Sequence, residues 1–439
     1  MANVMELAAK LGDRPGRVVF DSSSRGDLQA TTSFLSANPE HVFKARVDAR
    51  DNCLVDFDGQ VSAHIDPLQL LEEKLKAFSM ACDSRMPVAF GVLSYDFGQW
   101  LYGLPTKATE LPSLWVGFYP WCFEVNTETQ ALKIHGKSKT DRAAAQEVWG
   151  SLGKIGKAPE FFQLKPSDLK HERYRAGFDK IKDYLEEGDC YQANLSLLLE
   201  AKLKTQGDPL RVFEVLKSHA SSSYSALLQM EGLTLLSASP ERLFKYDARR
   251  RHIETRPIKG TRELVGDESI DRARGVELSR DSKELAEHLM IVDLERNDLG
   301  KIAEVGSVHV KDYAKATRFT SVMHLVSSIE ATVKENVGTA EIIKAMFPGG
   351  SITGAPKKRS MEIISECEEV NRGLYCGSGI VFYSDGSMDA SILIRSAELS
   401  KIRLSLRMGG GIVYDSNVER ELKEINEKSR SWRDLLANL

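Results

Sequence analysis

The sequence has little cysteine. Its six cysteines, Cys53, Cys82, Cys122, Cys190, Cys367 and Cys376, are spread over 439 residues and form no C-x-x-C pair. Neither a thiolate zinc site nor a disulfide framework is indicated, and a reducing cytoplasm is the expected location. No apolar run approaches the ~18 residues a membrane helix needs, which argues against an integral membrane protein. Neither sign of charge dominates: 59 Lys and Arg face 63 Asp and Glu, a net of −4. No global field is therefore available for nucleic acid or an anionic membrane. No repeat of about 20–50 residues recurs, which argues against a solenoid or propeller. The first 16 residues read as a polar helix carrying Lys10 and Arg14, without the apolar segment or cleavage site of a secretory leader.

What is present is ordinary globular material, 42% hydrophobic and 28% charged. That is ample apolar side chain to offset the entropy of ordering. Residues 1–150 carry short strand-like runs such as 17–20, 89–93 and 114–119. A Gly-, Lys- and Pro-containing stretch, 151–168, reads as a connection to a second region, 169–439. There the spacing of Tyr174, Phe178, Ile181 and Leu185 predicts a helix over 172–187, closed by Gly188. Further helices are expected over 283–294, 338–346, 359–369 and 418–436, with strands over 195–204, 224–230, 233–237, 242–246, 377–383, 390–399 and 402–408. Strands cluster with helices between the clusters, which favours an α+β architecture of antiparallel sheets over a parallel βαβ sheet.

Five clusters could carry chemistry. In Arg256-Pro257-Ile258-Lys259-Gly260-Thr261, a lysine follows a proline-fixed turn. A desolvated lysine amine can act as a nucleophile; an exposed loop lysine is the plain alternative. Glu284 and Glu287 stand three apart on one helical face, and Glu421 and Glu424 repeat the spacing near the end of the chain, with Lys428 one turn on. Paired carboxylates suit a hard cation such as Mg²⁺. Asp281 with Glu284 equally fits a capping box, and the later pair a solvated face. The run from Pro348 to Lys357 could cradle an anion, but Ala355 and Pro356 separate Gly354 from Lys357, so the P-loop pattern fails. The fifth group is scattered near strand ends: Ser239-Pro240-Glu241-Arg242, His324 amid apolar neighbours, Tyr375, Arg395 and Gly409-Gly410-Gly411.

In this order the segments resemble the chorismate-utilising enzymes. The resemblance is carried by Ser239 to Arg242, Glu287 to Asp298, Gly354 to Lys357 and Gly409 to Val413, and covers 172–436 most closely. Tyr95-Asp96 resembles a segment of the larger, glutamine-coupled members. Anthranilate-forming members carry alanine where this chain has Lys259; members that form 4-amino-4-deoxychorismate carry lysine. The resemblance therefore implies amination of chorismate at C4 through a covalent Lys259 adduct at C2, in the formation of 4-aminobenzoate for folate. It implies Glu241 as general acid, His324 as an active-site histidine, and Glu287 and Glu424 as Mg²⁺ ligands, with Glu284 and Glu421 completing the acidic site. It implies that Thr353, Gly354, Tyr375, Arg395, Gly410 and Lys428 bind substrate.

The implied fold is a β-sandwich of antiparallel sheets flanked by helices, with two subdomains around a cleft. No glutaminase motif is present, so the resemblance implies ammonia from solution or from a separate glutamine amidotransferase subunit. No pyridoxal lyase domain is present either. Some relatives hold tryptophan in the N-terminal part, where Ser22, Ser23 and Ser24 could serve. Two departures stand out: Arg407-Met408 before the triple glycine, and two extra residues in a hairpin over 246–251. Three rival readings remain. An anthranilate-forming component is opposed by Lys259. A phosphate- or nucleotide-binding module is opposed by the failed P-loop spacing. A non-catalytic scaffold is opposed by both carboxylate pairs.

Overall fold

A computed structural model describes residues 3–22, 30–47, 52–82, 85–107, 109, 111–162, 171–220, 222–319 and 322–437. Its described strands form two antiparallel sheets. The first runs Glu160–Phe161, Gln192–Thr205, Arg403–Ile412, Ser396–Ser400, Leu233–Ser239, Tyr224–Met230, Val18–Asp21, Thr32–Ser36, Trp121–Asn126, Leu132–Gly136, and Gly354–Ala355 also pairs with Gln192–Thr205. The second runs Ile258–Glu263, Val322–Thr332, His252–Thr255, Arg242–Asp247, Met388–Ile392, Ser378–Tyr383, Pro87–Leu93, Leu114–Phe118, His41–Val47, Cys53–Phe57, Gln60–Ala63, and His309–Arg318 also pairs with Val322–Thr332. With the helices on their flanks, this is the α+β architecture expected.

Aromatic rings bridge the two sheets. Phe20 and Phe34 of the first meet Phe90 of the second at centroid distances of 5.6 and 6.3 Å, and Tyr383 meets Phe34 edge-on at 6.0 Å. Such pairs add to the burial of large apolar side chains, which drives the sheets together. Strands from residues 1–150 enter both sheets: Val18–Asp21 pairs with Tyr224–Met230, and Pro87–Leu93 with Ser378–Tyr383.

The helices that frame the site follow local rules. Asp281 caps Ser282–Ile302, its carboxylate accepting from the amides of Lys283 and Glu284 at 3.1 and 3.2 Å. Glu284 does not complete a capping box; its carboxylate faces Arg262. The helix continues past the expected 294 to Ile302, carrying Gly300 within its last turn. The N-terminal helix, Val4–Leu11, is amphipathic rather than polar, with Val4, Leu7, Ala8 and Leu11 buried. Sequence spacing missed the helix Glu268–Leu278, whose buried residues are only Asp271, Gly275 and Leu278. The change at 246–251 is a hairpin turn between Arg242–Asp247 and His252–Thr255, with Arg251 at φ +51°. Among the described residues, no helix is long and apolar enough to cross a membrane.

Candidate active site

Glu241 lies where one strand of the first sheet leaves for the second. Its amide donates to the Ser239 hydroxyl at 3.3 Å, and the Ile392 amide donates to its carbonyl at 3.0 Å. The backbone is thus fixed on both sides. The side chain is buried, and burial pushes its carboxyl up to about 7, against the pull of the Ser351 hydroxyl, the Ile258 amide and the Lys259 charge. A carboxyl so placed keeps its proton to the edge of neutral pH and can give it away.

Lys259 lies on Ile258–Glu263, the end strand of the second sheet, with Val322–Thr332 and His252–Thr255 between it and the strand Glu241 leads into. Register slips between Lys259 and Thr261, and Gly260 takes φ +61°. This bulge re-aims the neighbouring side chains. The Lys259 ammonium stands 3.4 Å from Gln192 Oε1 and lowers the proton affinity of both Glu241 and Glu287. Gln192 carried no sequence signal. It is fully buried, and its amide Nε2 has no partner among the described residues.

His324 pairs across the sheet with Thr261. Its Nδ1 lies 3.0 Å from the Gly260 carbonyl and 3.0 Å from the Thr261 hydroxyl. A carbonyl only accepts, so Nδ1 carries the ring proton and Nε2 is the bare nitrogen. Burial drives the imidazole down to about 4, with the Arg395 charge adding and the Gly260 bond opposing. His324 is therefore neutral at pH 7.

The four glutamates come from two helices, Ser282–Ile302 and Val418–Ala437. Burial raises Glu287, with Glu284 and Glu424 adding and Lys259 and Lys283 opposing. Burial likewise raises Glu421, with Glu424 adding and Ser416, Lys428 and Lys283 opposing. Cations now attend them: Arg262 is 3.4 Å from Glu284, Lys283 3.8 Å from Glu287, and Lys428 2.6 Å from Glu424. Among the described residues, no three potential ligands close into a preformed metal cage. Mg²⁺ needs no such cage: it is usually held by one or two carboxylates, water and substrate oxygens. Hard oxygen donors whose mutual repulsion a cation would relieve fit that ion.

Glycines bring these walls together. A side chain at Gly410 would stand 3.3 Å from Glu421 Oε2, one at Gly260 3.1 Å from Glu284 Oε2, and one at Gly411 2.7 Å from the Gln192 amide carbon. Gly354, at φ +144°, would place a Cβ 2.0 Å from the Gln192 carbonyl, so no other residue fits. Thr353 is buried and donates its hydroxyl to the Gly349 carbonyl at 3.0 Å. The loop therefore offers backbone there rather than that hydroxyl. Lys428 also donates to the Gly409 carbonyl at 2.9 Å.

Arg395, at φ +52°, is an exposed residue set between the buried Leu393 and Ser396. Its guanidinium makes no hydrogen bond or ion pair among the described residues, and the surrounding walls lower its proton affinity by desolvation. A planar cation without a partner suits an incoming carboxylate. Tyr375 is buried beside Arg372, whose guanidinium is 5.9 Å from the ring centroid. The Tyr95-Asp96 segment clamps this stretch: the Tyr95 amide donates to the Gly373 carbonyl at 2.9 Å, and the Gly373 amide to Asp96 at 3.1 Å. Arg407 proves to be a buried strut, bonding Ser196 at 3.1 Å and the carbonyls of Val370 and Asn371 at 2.8 and 3.0 Å.

Ser22 lies elsewhere. It lines a separate cavity of about 100 Å³ with Phe20, Phe34, Tyr383, Arg242 and Asp389. Ser23 and Ser24 fall outside the described residues.

The chain matches the chorismate binding enzyme model over residues 19–434 and belongs to that family. It is therefore a chorismate-utilising enzyme. It is 37% identical over 373 residues to component 1 of aminodeoxychorismate synthase from Salmonella typhimurium, spanning 83% of this chain and 81% of that one. It is 38% identical over 376 residues to an anthranilate synthase component 1 from Haloarcula marismortui, spanning 80% and 76%. The solved structure of anthranilate synthase component I from Streptococcus pneumoniae superposes with a TM-score of 0.77 at 26% identity, covering 93% of both chains.

Proposed function

We propose that this chain aminates chorismate at C4, giving 4-amino-4-deoxychorismate, with Lys259 as covalent catalyst. The observation that carries the reading is a lysine within electrostatic reach of the buried acid Glu241 and of Glu287.

Once the Lys259 ammonium has released a proton to solvent, its amine forms a bond to C2 of the ring while the double bonds shift and the C4–O bond breaks. Glu241 gives its proton to the departing hydroxyl, which leaves as water. Ammonia then bonds to C4, the double bonds shift back and the C2–N bond to Lys259 breaks. The proton shed by the new amine returns to Glu241. One water leaves for each ammonia added, and no redox step occurs. Neutral His324 presents Nε2 as an acceptor beside the reacting face. Arg395 and Tyr375 hold the enolpyruvyl carboxylate, the backbone at Thr353, Gly354 and Gly410 lines the ring, and Lys428 approaches the second carboxylate. Glu287 and Glu424 would hold Mg²⁺, with Glu284 and Glu421 beside them; the ion would neutralise the ring carboxylate.

Ammonia is supplied by a glutamine amidotransferase partner in the cytoplasm, and the product feeds 4-aminobenzoate and folate formation. Residues 169–439 carry the chemistry. Residues 1–150 complete the sandwich and, through Tyr95-Asp96, hold the Tyr375 segment. The cavity at Ser22 is the place for a bound tryptophan; a thermal-shift series unchanged at millimolar tryptophan would remove that assignment.

The test is product analysis. The purified chain is incubated with chorismate, Mg²⁺ and an ammonium salt at mildly alkaline pH, and products are resolved by chromatography and mass. A product one mass unit below chorismate, convertible to 4-aminobenzoate by an added lyase, is expected. The Haloarcula relative's comparable identity favours a second reading, anthranilate formation. Anthranilate plus pyruvate would establish it and overturn ours.

A further inference from the structure

Behind the acid lies a second carboxyl that this chemistry leaves unused. Glu295 is buried on the inward face of Ser282–Ile302. Its Oε2 is 2.5 Å from the Thr255 hydroxyl. The same hydroxyl is 2.8 Å from the carbonyl of Leu243, two residues beyond Glu241. A threonine hydroxyl has one proton to donate, and a carbonyl has none. Both contacts are hydrogen bonds only if Glu295 supplies the second proton. Thr255 then donates to Leu243 and accepts from an un-ionised Glu295.

The surrounding charges agree. Burial pushes Glu295 up to about 8; the Thr255 bond opposes, Glu241 and Asp298 add, and Lys357 opposes. Lys357 is itself engaged, 2.5 Å from Asp298 and 2.7 Å from the Pro348 carbonyl. On the other side, Glu241 faces Lys259, the Ile258 amide and the Ser351 hydroxyl. Among the described residues, no cation forms an ion pair with Glu295.

We infer that Glu295 is a positioning residue for Glu241: a carboxyl carried un-ionised, tied through Thr255 to the strand Glu241 leads into, and titrating with Glu241 as one unit. The inference rests on the reading of Glu241 as the acid. Its role is electrostatic. An anion at 295 would raise the proton affinity of Glu241 and oppose proton donation; a neutral carboxyl does not. Coupled carboxyls of this kind lose their protons in two steps that belong to the pair.

The test uses the full chain and Glu295→Gln, which keeps the volume and a donor for Thr255 but does not ionise in this range. Each rate is divided by the concentration of free ammonia at that pH, which removes its changing fraction from both profiles. The wild-type alkaline limb should spread over two steps, and the variant should show a single step. An infrared titration of the protonated-carboxyl carbonyl stretch gives an independent readout. One band should vanish in Glu295→Gln, another in Glu241→Gln, and the band left in Glu295→Gln should titrate as a single group. Glu295→Ala, which also cuts the Thr255 tie, should lower kcat with KM for chorismate little changed. An unchanged alkaline limb in Glu295→Gln overturns the inference, whatever the infrared shows. If the chain turns over no chorismate, the proposed function fails, and the infrared result alone decides this pair: loss of the band with a sharpened Glu241 titration supports it, and an unchanged spectrum overturns it.

Discussion

Gln192 Oε1 stands 3.4 Å from Lys259 Nζ, across the seam between the two sheets. The contact fixes where the amine points, while the other end of the same amide, Nε2, has no partner among the described residues. If Lys259 is the nucleophile, Lys259→Ala removes the route to C4. Ammonia then has only the direct attack at C2, so product should shift from 4-amino-4-deoxychorismate toward anthranilate. Chromatography of the variant's products checks this. Unchanged C4 amination would show that the lysine is a bystander.

Arg395 should matter for binding. Its guanidinium has no protein partner among the described residues, so the substrate carboxylate would be its first. Arg395→Gln should raise KM for chorismate by ~10- to 100-fold, as expected from losing a hydrogen bond to a charged group, with a smaller effect on kcat. Steady-state kinetics separate the two; a change confined to kcat would place Arg395 outside the binding contact.

The glutamates should report on the metal. Isothermal titration of Mg²⁺ into the chain with chorismate present should show weaker binding for Glu287→Gln and for Glu424→Gln, by at least ~10-fold. Protonation competes with the metal, and burial raises the carboxyl of Glu287. Mg²⁺ affinity should therefore rise with pH on the acid side. Equal affinity in wild type and both variants would remove these residues from the ligand set.

Glu241 should weaken the fold as pH rises. The folded chain holds its proton up to about 7, while the unfolded chain releases it near the ordinary 4.5. Between those values the folded state binds more protons, so this group's contribution to stability falls with rising pH. The full effect is about 3 kcal/mol. Glu241→Gln should melt higher than wild type at pH 8, with the gap closing at pH 4. General-acid loss should also lower its turnover by ~10²- to 10⁴-fold. Differential scanning calorimetry at the two pH values tests the first half, and an equal gap at both would contradict the assigned burial cost.

Much of the architecture was legible. Alternation marked most late strands, and the i, i+3 carboxylates on the two framing helices were visible as residues. Sheet order was not, because Ser378–Tyr383 finds Pro87–Leu93 across most of the chain. Periodicity reports which face is apolar, not which distant strand covers it. The helix Glu268–Leu278 escaped because its buried side presents Asp271, Gly275 and Leu278, with little apolar pattern. In the site, Lys259 was readable because a short motif surrounds it. Gln192 was not, since a glutamine at a strand start has no signature until burial isolates its amide. Glu295 lay within a recognised run, yet its significance depends on Thr255, forty positions away.

The shared sheets have a consequence for handling this chain. Severing it within 151–168 would strip Val18–Asp21 from Tyr224–Met230 and Pro87–Leu93 from Ser378–Tyr383. The later fragment would then present two raw hydrogen-bonding rims at once, beside an uncovered aromatic layer. Unpaired rims of that kind template sticking between copies. A shortened version carrying every proposed catalytic side chain would therefore be expected to accumulate as aggregates.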